Sequence, residues 1–180
     1  MKVTDTAKDR RISRRRFFGI AFLAWFGVLG FDLMLHGAVL SSFYVQATSF
    51  LLPPMESFRR IPIGYASFLI GVLLLGWLIS KTNVRGWRQG FGFGGLVGGG
   101  IWVSLALGMY SISTAPAPLL LGWVLGQTLE MAYAGSVMAE GFFTDRIRRL
   151  TVVVVGLTLL FVVLTIILQS IGLASAVVFD

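Results

Sequence analysis

Four polar side chains interrupt runs that are otherwise apolar: Asp32, His36, Gln127 and Glu130. Asp32 and His36 are four residues apart, so a helix places them on one face, where a carboxylate accepts from an imidazole and holds its tautomer. Gln127 and Glu130, three apart, also share a face, with Tyr133 one turn further along. An ionised carboxylate near the centre of a bilayer costs at least ~2.5 to 3.5 kcal/mol, so each such group requires a partner, a proton or water.

Three kinds of chemistry fit these residues. Asp32, His36, Gln127, Glu130 and Tyr133 are candidates for a substrate- or proton-binding site, in which buried carboxylates load and release a proton or a small solute in a transporter-like protein. A second reading is structural: the same groups tie helices together or hold a partner subunit, making the chain a non-catalytic accessory or structural part of a larger membrane complex. The third is an enzyme or metal site. One histidine and two carboxylates can bind a divalent cation, but there is no second histidine, His-x-x-Glu pair or His-Glu-x-x-His spacing. No serine lies in a nucleophile elbow, and the absence of cysteine removes disulfides, thiolate nucleophiles and Cys-based metal sites. The expectation is therefore no catalytic residue, no metal and no cofactor, with a non-enzymatic role favoured.

The elements that must carry these groups are set by composition. Of 180 residues, 56% are hydrophobic and 13% charged, and the mean hydropathy is +0.85, too apolar for an ordinary soluble domain. A helix needs about 20 mainly apolar residues to cross roughly 30 Å of hydrocarbon with every backbone group bonded internally. Five runs meet that test: Phe17 to Leu40, Ile61 to Ser80, Gly90 to Ile112, Ala117 to Phe142 and Thr151 to Val178. The fold expected is all-α, a bundle of five transmembrane helices in one domain, 17–180, behind a basic tail, 1–16. The runs lack the alternation of an outer-membrane barrel.

The net charge of +7 reads as topology rather than as a nucleic-acid footprint, because Lys and Arg cluster between the apolar runs. Thirteen of the fifteen fall in the tail and in the connections holding Lys81, Arg85 and Arg88, and Arg146, Arg148 and Arg149; only Arg59 and Arg60 fall on the other side. The positive-inside rule then puts the amino terminus in the cytoplasm and Asp180 outside, as a multi-pass protein of a bacterial inner membrane. The expected partners are the lipid bilayer and a second copy or other membrane subunits, with no nucleic acid. Ser13-Arg14-Arg15-Arg16-Phe17-Phe18 resembles a twin-arginine export signal, but the apolar stretch is too long for one and contains Asp32 and His36. It is read as the basic anchor of an uncleaved first helix.

Taking Phe17 as the inner boundary, Asp32 lies about 22 Å and His36 about 28 Å deep; from Ala117 outside, Gln127 and Glu130 lie about 15 and 20 Å deep. The two carboxylates differ in depth by about one or two helical turns, so they can touch, or be bridged by water, if the first and fourth runs are neighbours. In the third run, Gly90, Gly94 and Gly98, and Gly95 and Gly99, form two small-residue stripes suited to close helix packing. The connection 41–60 is apolar around Pro53-Pro54 and reads as an interfacial or re-entrant segment, with Tyr44 and Phe50 at headgroup level. Trp123 reads as an aromatic-belt or packing residue, and the fifth run, apart from Gln169, as lipid-facing.

The stretch Phe31-Asp32-Leu33-Met34-Leu35-His36-Gly37 followed by Phe43-Tyr44 resembles a group of small bacterial polytopic membrane proteins whose first helix ends in an aspartate, a histidine and a glycine before an aromatic pair. The likeness continues through the Gly-rich third run and Gly122-Trp123-Val124-Leu125-Gly126-Gln127-Thr128-Leu129-Glu130. That group has four core helices and no assigned activity. The resemblance therefore implies a helical membrane fold and draws attention to Asp32, His36 and Glu130, with the fifth run as an addition.

Overall fold

The computed structural model describes residues 12–45 and 50–175. Lys2, Lys8, Arg10 and Arg11 of the tail, and the end of the fifth run at Val178, lie outside them. Among the described residues every regular element is helical: α1 Arg14–Met34, continued by a π turn Leu35–Val39, then α2 Ser41–Val45, α3 Pro54–Lys81, α4 Gly86–Ile112, α5 Ala117–Phe143 and α6 Ile147–Ser170.

Local chemistry sets the helix ends. The Ser13 side chain accepts from the Arg16 N–H at 3.3 Å and caps α1. Pro54 opens α3 and Pro118 stands in the first turn of α5, where a missing N–H costs nothing. The α6 helix stops at Ser170, short of the apolar run's end, because Gly172 adopts a φ of +75°. The Leu173 N–H then turns back to the Leu168 carbonyl at 2.9 Å and the Gly172 N–H to Gln169 at 3.2 Å, a Schellman ending that satisfies carbonyls otherwise orphaned. The α3 helix begins at Pro54, so much of the connection expected to be interfacial is the first two turns of a helix.

Four helices are long and apolar enough to cross a membrane: α1 with its π turn, α3, α4 and α6. The α5 helix, at 27 residues, rises about 40 Å, but Gln127, Glu130 and Glu140 lower its hydropathy. It can carry them because it packs against α4, α1 and α3 and buries thirteen of its 27 residues, whereas α4 and α6 bury three each. A helix shielded by its neighbours need not be apolar all round.

The long helices alternate in direction. Gly76 of α3 lies beside Phe17 at the start of α1, and Trp25 donates its indole N–H to the Tyr65 carbonyl at 2.9 Å. Gly90 meets Gly135 and Gly94 meets Met131 across α4 and α5. By contrast α1 and α6 run parallel, Gly30 against Thr158 and Gly37 against Thr165, seven residues apart on both helices. The hydroxyls of Thr158 and Thr165 donate to their own helix, to the carbonyls of Val154 and Phe161, both at 2.9 Å, so these buried threonines present methyl groups to the glycines. Arg16, read from sequence only as a topology signal, donates to the Gly141 carbonyl at 3.0 Å and to the Thr144 carbonyl, closing the end of α5.

The apolar core occupies the proximal half of the bundle, where α1 begins: Ile20, Ala24, Val72, Leu75, Ile79, Val137, Met138 and Phe142 pack there with their neighbours. Polar side chains gather in the distal half, where α1 ends.

Candidate functional site

The π turn is the first device that builds the distal site. One extra residue in the turn widens it, with the Leu40 N–H reaching the Leu35 carbonyl at 2.8 Å. Carbonyls released by that irregularity find side-chain donors: Gln169 of α6 donates to Gly37 O at 2.8 Å and Ser41 to Ala38 O at 2.8 Å. Ser41 Oγ in turn accepts from the Ser175 N–H at 3.0 Å. The turn seats on α5 through Leu35 and Leu40, which occupy the space a Cβ would fill at Gly126 and Gly122. These two glycines bring the end of α1 onto the face of α5 that bears Gln127 and Glu130.

Asp32, His36 and Glu130 consequently converge, each offering a ligand atom within 4.8 Å of the others. Glu130 is 1% exposed and Asp32 7%. Gln127 donates to Glu130 Oε1 at 3.1 Å, and its amide nitrogen lies 3.4 Å from His36 Nε2. His36 Nε2 stands 3.2 Å from Asp32 Oδ1, yet the ring N–H direction is not aligned with that oxygen, and Oδ1 is buried without a hydrogen-bond partner among the described residues. Neither carboxylate has a Lys or Arg partner among the described residues.

The other ring nitrogen is firmly held. His36 Nδ1 is 2.6 Å from the Tyr44 hydroxyl, which also accepts from Trp123 Nε1 at 2.6 Å, and Phe50 packs on Trp123 with ring centroids 6.0 Å apart. Burial pushes the Tyr44 phenol, in the connection beyond the first apolar run, above its ordinary pKa, while the Trp123 N–H pulls the other way. The sequence suggests headgroup level for Tyr44 and Phe50 and an aromatic-belt or packing role for Trp123; in the structure the three are part-buried and packed together, Tyr44 and Phe50 both against Trp123. Aromatic residues beside a span end look alike from sequence whichever way they point. The one signal was the presence of Tyr44 in the Phe43-Tyr44 pair downstream of His36.

Tyr133 stands apart from this group. Its ring covers Gly27, five residues before Asp32 on α1, and its hydroxyl is buried without a hydrogen-bond partner among the described residues. Gly90, Gly94 and Gly98 are buried against α5, where a Cβ on Gly94 would fall on the Met131 carbonyl. A Cβ added at Gly95 or Gly99 would stand at ordinary contact distance, 3.6 Å from the Ala132 or Thr128 side chain.

Two cavities reach the cluster. The larger, about 340 Å³, runs between the end of α1 and the start of α3 and is lined by Asp32, His36, Tyr44, Ser57 and Tyr65 among apolar neighbours. The smaller, about 180 Å³, lies between α3, α4 and α5 and is lined by Gln127, Glu130, Ser67 and Trp102. Phe68 lines both. Chemically the site offers two carboxylates, an imidazole nitrogen and an amide, in an apolar frame with room for a small guest. Comparison with known protein families, curated proteins and solved structures yields no match.

Proposed function

We propose that the chain is an integral membrane protein of five spanning helices that binds and moves a small cationic solute at Asp32, His36 and Glu130. The alternation of Lys and Arg between connections supports an amino terminus in the cytoplasm and a place in a bacterial inner membrane. The length of α5, about 40 Å, supports its service as a span despite its polar residues.

The observation that carries the reading is the convergence of two buried carboxylates and an imidazole within 4.8 Å, with no basic partner among the described residues. Two like charges in a low-dielectric frame attract a cation. Of the proton and the small solute, the cavity of about 340 Å³ beside Asp32 and His36 favours the solute, since a proton requires only a chain of hydrogen bonds.

The test is flux of cations into proteoliposomes loaded with cation-sensitive dyes. Asp32→Asn and Glu130→Gln should each lower the flux at least tenfold in protein that elutes from size exclusion as the parent does. Flux unchanged in both variants would sink the reading.

A further inference from the structure

The two acceptor atoms facing each other at 3.2 Å, His36 Nε2 and Asp32 Oδ1, identify the guest more closely. When Glu130 is ionised it only accepts, and Gln127 turns its amide nitrogen toward Glu130 Oε1 at 3.1 Å. That same nitrogen lies 3.4 Å from His36 Nε2. A proton on Nε2 would therefore face an amide donor and have no aligned acceptor. The lone pair then belongs on Nε2 and the proton on Nδ1, donated to Tyr44 at 2.6 Å, and the Tyr44 O–H is left to turn into the adjoining cavity. An imidazole whose second nitrogen is anchored in this way is oriented as metal-binding histidines are. The Tyr44 hydroxyl, fixed by Trp123, is the anchor.

We propose that Asp32, His36 Nε2 and Glu130 bind a single divalent transition-metal ion. The inference rests on the solute reading of the same site and narrows that solute to a metal. Charge supports it: two carboxylates and a neutral imidazole around a divalent ion form a neutral unit, which removes the cost of burying either carboxylate alone. Buried, unpartnered Asp32 Oδ1 then has its missing partner. Ligand atoms about 2.0 to 2.2 Å from one ion stand about 3.3 to 3.6 Å apart in a tetrahedral site, so ligand atoms within 4.8 Å of one another need close by no more than about 1.5 Å. One nitrogen and two carboxylate ligands suit Mn²⁺, Fe²⁺, Co²⁺ or Zn²⁺ over soft copper(I). Asp32 and His36 line one cavity and Glu130 the other, so water from either would be available to complete the ion's coordination. The spacing rule that argued against a metal in the sequence looked along one helix, whereas here the third ligand comes from α5.

The experiment is titration of the full-length, tag-free protein in detergent with Co²⁺, read by its visible d–d absorption, and with Mn²⁺, read by electron paramagnetic resonance. One ion per chain is expected, displaced by Zn²⁺ and abolished in His36→Ala and Asp32→Asn. Tyr44→Phe keeps all three ligands and should weaken binding by about 10- to 100-fold, a readout that misfolding of a ligand variant cannot imitate. Absence of stoichiometric binding in the parent protein, or binding unaltered by the ligand variants, overturns the inference. Cation flux without stoichiometric metal binding overturns the metal and leaves the solute reading standing. Stoichiometric binding without flux does the reverse, keeping the metal site and removing transport.

Discussion

The two halves of α5 are built on opposite principles. Proximally, from Met131 onward, its backbone lies against that of α4: a Cβ on Gly90 would fall on the Gly135 carbonyl, and one on Gly135 on the Gly90 carbonyl. Ala134, Met138 and Ala139 complete a fully buried surface there. Distally, Gly122 and Gly126 receive leucine side chains from the π turn, polar groups are buried beside cavities, and Asp32 Oδ1 is left unpaired. Small residues therefore serve two ends on one helix. In the proximal half they let backbones touch and gain dispersion contact; in the distal half they make room for a neighbour that delivers chemistry.

A substitution in the proximal seam should therefore act on folding. Gly94→Val would drive a branched side chain into the Met131 backbone, where no rotamer can yield, and should lose about 3 kcal/mol or more. Gly95→Ala, 3.6 Å from the Ala132 methyl, should stay within about 0.5 kcal/mol of the parent. Thermal unfolding in detergent reads both. Equal shifts for the two would break the distinction between backbone contact and ordinary packing.

Substitutions of the two distal carboxylates should act on function and spare the fold. Asp32→Asn and Glu130→Gln, expected to cut flux at least tenfold, remove charges that have no basic partner among the described residues. In metal-free protein their unfolding midpoints should be unchanged or raised, by up to about 1 kcal/mol of stability. A loss above about 3 kcal/mol in both would make the cluster a structural tie and erase the contrast.

A smaller effect comes from the aromatic anchor. Trp123→Phe keeps a ring against Phe50 and removes the N–H that Tyr44 accepts, together with part of the indole's bulk. The expected cost is about 1 kcal/mol of stability, with a weaker metal or solute site because Tyr44 is freer to turn. Unaltered affinity would show that His36 orients itself without help.

These effects differ in how far the sequence announces them. Helical spacing alone puts Asp32 beside His36 and Gln127 beside Glu130, and apolar run length alone marks the long helices. The contacts that bring the two pairs together are less visible. Gly122 and Gly126 sit four apart, but so do many glycines in this chain, and nothing in their spacing says that Leu35 and Leu40 will occupy them. The π turn has no sequence signature, since its extra residue is stabilised by donors from Gln169 and Ser41, one of them 132 residues away. The α6 helix shows the same limit from the other side. Its Val- and Leu-rich sequence reads as lipid-facing, yet Thr158 and Thr165 lie a heptad apart against Gly30 and Gly37, a pairing visible only once α1 is known to be the neighbour.

Gln169→Leu tests that long-range support and carries the smallest effect. Leucine matches glutamine in bulk, so packing between α1 and α6 should survive while the donor to Gly37 O disappears. The carbonyl is part-buried, which sets the cost at about 0.5 to 1.5 kcal/mol. The more informative readout is local. A π turn holds one residue more than the α-helical register, and regaining that register rotates the downstream chain by about 100° per residue, turning the segment beyond His36 relative to Asp32. Amide hydrogen exchange across residues 35 to 40 should therefore speed up in Gln169→Leu, while exchange in the proximal seam around Gly90 and Gly135 stays as in the parent. Faster exchange in both places would mean that the two halves of α5 unfold together, and the division between a packed base and an adjustable polar junction would have to be given up.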